Sequence, residues 1–207
     1  SRERINAWVA EQTEERISEL IPPGMLTPRT SLVLTNAIYF KGAWQTLFDP
    51  EKTVDATFTA GDGTEVDIDM MQLTKELPYY ENASIMLATH PYHGDELEAV
   101  LIAPKEGSIR DLEASLTPGN LSSWLDQRIE GEVRILLPRF SMRYKANLVD
   151  PLKHLGMELP FNPEQADFSG IFGAPDQFIS AVIHEAFLQV REEGTEAAAA
   201  TGIGFEF

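Results

Sequence analysis

The sequence predicts an α+β domain. Three observations lead there. Apolar residues recur with a helical period over the first 21 positions. β-branched and aromatic runs separated by turn residues mark most of the chain after Ser31. Strands and helices come in unequal runs rather than in strict strand–helix–strand alternation. The 207 residues, 43% of them hydrophobic, suffice for a proper core. A formal net charge of −17 argues against nucleic acid and anionic membrane surfaces as partners, because binding phosphate needs clustered Lys and Arg. There is no cysteine, hence no disulfide framework, and no apolar run of about 18 residues that could cross a membrane as a helix.

The elements follow in order. Ile5, Trp8, Val9, Ile17, Leu20 and Ile21 repeat at helical spacing, with Glu11, Glu14, Glu15 and Glu19 on the wet face. Pro22-Pro23-Gly24 ends that helix, and its start at the first residue points to further chain before it. Ser31 to Trp44 carries no charge before Lys41 and predicts a strand buried on both faces, with Asn36 as a buried amide in need of partners. Asp55–Thr59 and Glu65–Met71 are short strands around Gly61-Asp62-Gly63. Leu77–Asn82, Ile85–His90 and Glu96–Ala103 form a meander. Ile109–Leu116 and Leu121–Arg128 read as helices split by Pro118-Gly119. Glu132–Leu137 alternates until Pro138, Phe140–Lys145 continues as a strand, and Leu148–Leu155 is a helix closed by Gly156. Phe161–Gly170 is loop with a turn or two of helix, and Gln177–Val190 is a long strand centred on His184. No repeat, linker or charge block interrupts residues 1–207, which read as part of a single domain.

Residues 192–207 stand apart. Four alanines, Ala197 to Ala200, favour a helix or a loose end. With a period of two, Thr195, Ala197, Ala199, Thr201, Ile203 and Phe205 fall on one face, grading from small to large. Glu196, Ala198, Ala200, Gly202, Gly204 and Glu206 fall on the other. That is the pattern of a strand buried through its first face, made small enough to slide between two neighbours. Strand and frayed terminus both remain open on pattern alone.

No motif for catalysis emerges. His90, His93, Asp95 and Glu96 are close in sequence, but a strand end followed by Pro91-Tyr92 is poor geometry for chelation, so no metal is expected. Asp67 and Asp69 share a strand face. A hydrolytic acid/base pair would also need a cleft and separated pKa values, which leaves a carboxylate hydrolase the remotest of the readings. There is no Gly-x-Ser-x-Gly, phosphate loop or dinucleotide fingerprint, and no cofactor is expected.

The block INAWVAEQTEERISELIPPGMLTPRTSLVLTNAIYFKGAWQTLFDP resembles the middle of a serpin, a serine protease inhibitor. In that family a helix lies over a large central β-sheet, accompanied by smaller sheets and surrounding helices. The resemblance runs the length of the chain and ends in EEGTEAAAAT, Glu192 to Thr201, which is similar to the hinge of the inhibitory members. Residues 192–207 would then be the hinge and proximal part of the reactive-centre loop: Glu192, Glu193, Gly194, Thr195, Glu196, Ala197, Ala198, Ala199, Ala200 and Thr201, with Phe205, Glu206 and Phe207 near the scissile bond.

What the resemblance implies is mechanical inhibition, not enzymatic turnover. A protease cuts the loop, the loop enters the central sheet as an extra strand, and the acyl-linked protease is dragged and distorted. Asn36 and His184 would belong to the shutter, where the sheet parts. Trp44, Arg139 and Glu192 would form the breach, where the loop enters first. Family spacing puts the scissile bond one residue beyond Phe207, or directly after it in a loop one residue shorter, and the aromatic residues there suit a chymotrypsin-like target. An N-terminal segment and a C-terminal peptide would complete the fold, and an extracellular location is expected. A non-inhibitory binding or chaperone-like relative is the alternative.

Overall fold

The computed structural model describes residues 1–173 and 177–206. The side chains of Ser31, Leu32, Phe172, Phe205 and Glu206 fall outside that description, as does Phe207. Five helices and nine strands are described: α1 (Arg2–Gln12), β1 (Thr30–Ala43), β2 (Val54–Thr59), β3 (Glu65–Glu81), β4 (Ile85–Pro91), β5 (Glu98–Pro104), α2 (Ile109–Ser115), α3 (Pro118–Asp126), β6 (Ile129–Pro138), β7 (Phe140–Asn147), α4 (Val149–His154), α5 (Ser169–Phe172), β8 (Phe178–Arg191) and β9 (Gly194–Glu206). They assort into two compact units. Each unit is assembled from segments far apart in sequence, so no linker marks a boundary.

The first unit comprises residues 1–41, 141–189 and 196–207. Its strands belong to a four-stranded sheet in the order β1-β9-β8-β7. The helix expected over residues 1–21 stops at Gln12. The Thr13 hydroxyl donates to the Val9 carbonyl at 2.8 Å and accepts from the Ile17 amide at 3.1 Å, while Glu14 and Glu15 take left-handed backbone angles. Such angles cannot continue an α-helix. Ile17, Leu20 and Ile21 are nevertheless fully buried, reached by an irregular segment rather than by helical periodicity. They pack with Val9, Phe187, Ala198 and Ala200, whereas Trp8, expected on the apolar face, is exposed. Buried Asn6 holds the segment down: its carboxamide accepts from the Ile21 amide at 2.8 Å and donates to the Ile21 carbonyl at 2.9 Å. A second cluster joins Phe161, Ile179 and Val182, with Ile203 of β9 against it.

β1 departs from its expected burial. Leu34, Asn36 and Ile38 are exposed and alternate with half-buried Val33, Ala37 and Tyr39. In this chain one face of the strand is covered and the other is open.

The second unit comprises residues 42–140 and 190–195. Its sheet runs β2-β3-β4-β5, with β6 also on β3. The two strands expected at 65–71 and 77–82 are a single 17-residue strand, β3. β6 accounts for its continuity, pairing from Met70↔Pro138 to Tyr79↔Ile129, so Pro78 sits within the ladder rather than ending it. β4 and β5 complete the expected meander, with register Ile85↔Pro104 to Pro91↔Glu98. Pro118 starts a helix instead of splitting two: Thr117 caps the Asn120 amide, and proline suits the first turn, where no intrahelical amide partner is needed. The core here gathers Ile85, Leu87, Leu112 and Trp124.

Candidate functional site

The site is built around β9, taken first at its start in the second unit. Trp44 anchors it. The Trp44 indole Nε1 donates to the Arg191 carbonyl at 2.9 Å, and its backbone amide donates to the Glu193 carbonyl at 2.9 Å. The Phe48 amide donates to the Glu192 carbonyl at 3.1 Å. Trp44 stacks on Tyr92 with ring centroids 4.7 Å apart and on His90 at 4.8 Å. Glu193 is exposed, while the Glu192 side chain is only 5% exposed. The Glu192 carboxylate accepts from the Thr53 hydroxyl at 2.8 Å and from Arg139 at 3.4 Å. Arg139 also grips Asp69, which keeps its guanidinium firmly protonated, with Glu192 adding to the effect. Sequence reasoning brought Trp44, Arg139 and Glu192 together, and the three do gather at one place. It missed Thr53 and the ion pair that half-exposed Asp69 makes with Arg139, while Asp67 stays exposed.

Gly194 is required sterically. A Cβ there would meet the Gly42 carbonyl oxygen and would lie 2.9 Å from the Ala43 Cα, both backbone atoms. Thr195 is buried beside Tyr92. Burial raises the phenol's pKa, and the hydrogen bond with Thr195 acts the other way.

In the first unit, the rest of β9 shows small residues meeting close neighbours. Ala198 and Ala200 are 2% and 1% exposed, and Gly202 and Gly204 are buried. A Cβ on Gly202 would lie 2.8 Å from Ile21 Cδ1. The expected orientation is therefore reversed in degree. The face holding Ala198, Ala200, Gly202 and Gly204 is the more buried, against Val9, Leu20 and Ile21. Ala197, Ala199, Thr201 and Ile203 are half-buried. Small residues looked bare in the sequence because their partners come from the irregular segment after α1. The side chains of Phe205 and Glu206, and Phe207 altogether, lie outside the described residues.

Glu196 shares that close-packed face and is the surprise of the strand. Its carboxylate is held by Arg16 through two contacts, Nε to Oε1 and Nη2 to Oε2, both 2.8 Å. The Tyr39 hydroxyl donates to Oε1 at 2.8 Å. Those bonds lower the Glu196 pKa against the opposing effect of burial, and burial with the Glu196 bond pushes Tyr39 up to about 12.

His184 and Asn36 are not brought together. The His184 ring Nδ1 lies 2.8 Å from the Thr201 hydroxyl of β9, the strand standing between β8 and β1, and Asn36 is exposed. A second ionic group also escaped sequence reasoning: buried Glu185 pairs with Arg143 at 2.7 Å and Lys145 at 3.1 Å. The available signal was a lone acid inside an apolar strand and two cations two residues apart on β7.

Comparison with known proteins decides the family. The model of the serpin family, described as serine protease inhibitor, matches residues 1–207. This chain belongs to the serpin family. It is 40% identical over 210 residues to a "Serine protease inhibitor" of Cyanea capillata, covering 99% of this chain and 55% of that protein. Its structure matches emu ovalbumin with a TM-score of 0.93 at 31% identity, over 99% of this chain and 54% of that one. It matches the structure titled "Cleaved Serpin 42Da" with a TM-score of 0.91 at 35% identity, over 99% and 56%. The chain spans about half the length of the curated relatives it matches. The serpin fold, a mixture of helices and several sheets, is thereby established.

Proposed function

We propose that this serpin inhibits a serine protease as a suicide substrate. The protease cuts the loop near residue 207, and residues 194–206 enter the sheet between β1 and β8. The observation carrying this reading is β9 itself, a strand made mostly of Thr, Ala and Gly and flanked on both sides. Gly194 and Gly202 each meet a neighbour that would obstruct a Cβ, and Ala198 and Ala200 are fully buried. A segment that must serve both as exposed bait and as central strand needs small side chains at those places. The Cyanea capillata relative carries the inhibitory function in its name.

In this reading Trp44, Arg139 and Glu192 guard the entry point. His184 changes partners, taking Thr201 when the loop is in place. The target is chymotrypsin-like, because Phe205 and Phe207 lie just before the expected scissile bond. An N-terminal serpin segment and a C-terminal peptide complete the fold. The extracellular placement that goes with this reading rests on the resemblance alone.

The test is incubation of the full protein with chymotrypsin, followed by a denaturing gel. A band at the summed mass that survives denaturation is expected. Clean loop cleavage with undiminished protease activity would overturn the inhibitory reading in favour of a non-inhibitory binding role.

A further inference from the structure

We propose that Arg16 and Tyr39 form an acceptor site for the Glu196 carboxylate, and that loop entry past residue 196 depends on it. This deepens the proposed function and rests on loop insertion as described there. Of the β9 residues from Gly194 to Gly204, Glu196 alone carries a charge. Its side chain is 12% exposed in the strand, on the face shared with Ala198 and Ala200. A carboxylate cannot enter such a position unpaired without a large desolvation cost. Three donor contacts at 2.8 Å are ready for it: two from the Arg16 guanidinium and one from the Tyr39 hydroxyl.

The donors come from separate elements. Tyr39 lies on β1, the strand flanking β9, and Arg16 lies in the irregular segment after α1. The left-handed turn at Glu14 and Glu15 immediately precedes Arg16. Arg16 also lies over the Phe187 ring of β8, 5.5 Å from its centroid, with Arg143 at 5.4 Å from the same ring. One guanidinium thus touches the incoming strand and its β8 neighbour together. Without Glu196, Arg16 and Tyr39 lose a shared anion. Without Arg16, Glu196 keeps, among the described residues, the neutral Tyr39 donor and the longer-range charge of Lys41. In the period-two pattern Glu196 falls opposite the face expected to be buried, where no such site would be needed.

The role separates from mere structural support by a double substitution. If Arg16 acts by receiving the carboxylate, removing that carboxylate makes Arg16 dispensable. The experiment cuts the loop of the full protein with chymotrypsin and measures the rise in thermal unfolding midpoint in four forms: unaltered, Arg16→Ala, Glu196→Ala and Arg16→Ala/Glu196→Ala. Covalent complex is quantified in parallel. Arg16→Ala is expected to lose most of the rise and to shift partitioning towards free cleaved protein by about tenfold, the scale of one charge-assisted contact. The double variant is expected to recover both. Equal rises in all four forms, or no recovery in the double variant, would overturn the proposal, as would an unaltered protein that gains nothing on cutting. A normal rise with no covalent complex would refute protease trapping while leaving the acceptor site supported.

Discussion

His90 lies against the face of Trp44, with ring centroids 4.8 Å apart and planes 27° apart, and is 1% exposed. Its Nε2 donates to the Thr46 carbonyl at 2.9 Å, whereas Nδ1 has no hydrogen-bond partner among the described residues. A protonated ring would place a charge in this buried stack with one donor unused. Burial therefore lowers the His90 pKa. The Thr46 bond opposes that effect and Lys75 reinforces it.

The sign of the pH dependence follows. Above about pH 6.5 the ring is neutral in folded and unfolded chains alike, so it contributes no difference. As pH falls below that value the unfolded chain takes up a proton that the folded one refuses. Stability is therefore lost from the ordinary histidine pKa down to the lowered one. The unfolding midpoint of the unaltered protein should drop between pH 7.5 and pH 5 more steeply than that of His90→Phe, which keeps an aromatic ring under Trp44. Parallel pH profiles would show that His90 is not the group responsible.

The two crowded glycines of β9 should respond very differently to alanine. At Gly194 the new Cβ runs into backbone, the Gly42 carbonyl and the Ala43 Cα, which cannot rotate away. At Gly202 it meets Ile21 Cδ1 at 2.8 Å and Leu20 Cδ2 at 3.4 Å, the free ends of side chains. Overpacking typically costs about 1–3 kcal/mol, and more when the backbone must move. For a chain of this size about 1 kcal/mol shifts the midpoint by about 2–4 °C. Gly194→Ala should therefore lower the thermal midpoint by at least about 6 °C, and Gly202→Ala by about 4 °C or less. Equal losses would mean that β9 has freedom to move away from Gly42.

These glycines show what the sequence could and could not disclose. A period of two and a run of small residues identified β9 as strand-competent. The gathering of Trp44, Arg139 and Glu192 was legible through family resemblance. Which face of β9 is closely packed was not legible. Alanine and glycine carry no polarity signal, and the atoms covering them belong to Leu20 and Ile21, about 180 positions earlier in the chain. The end of α1 at Gln12 was hidden for a related reason. Ile17, Leu20 and Ile21 keep an apparently helical spacing while the backbone has already turned at Glu14 and Glu15. Asn36 and His184, both placed in the shutter by the resemblance, lie on strands separated by β9, and His184 meets Thr201 of that strand.

Asn6 is a polar residue on α1 that no periodicity singles out, yet it ties the irregular segment to the helix through both polar backbone atoms of Ile21. Asn6→Ala removes two buried hydrogen bonds and leaves an amide and a carbonyl to find new partners. Each such loss costs about 1–2 kcal/mol. The total should be about 2–4 kcal/mol in chemical denaturation, with an unchanged denaturant slope. Asn6→Asp keeps an acceptor for the Ile21 amide but sets a buried carboxylate oxygen against the Ile21 carbonyl, so its loss at neutral pH should be at least as large. A loss below about 0.5 kcal/mol for Asn6→Ala would show that the segment is held by apolar packing alone.

Arg139 joins two carboxylates of different standing. Asp69 is 43% exposed and can turn to water, while Glu192 is 5% exposed and cannot. Removing Asp69 leaves Arg139 paired with Glu192 and still partly solvated. Removing Arg139 leaves the Glu192 charge buried with the Thr53 hydroxyl as its remaining side-chain donor among the described residues. The asymmetry fixes an order of effects, since an unpaired buried charge is worse than an unpaired surface one. Arg139→Ala should lower the unfolding midpoint well beyond Asp69→Ala. Adding Glu192→Gln to Arg139→Ala should recover much of the difference, because a neutral amide tolerates the site. Salt provides an independent check: raising the ionic strength should erode the contribution of the exposed Asp69 pair first. If Asp69→Ala proved the more damaging substitution, the anchor of Arg139 would be β3 rather than the segment leading into β9.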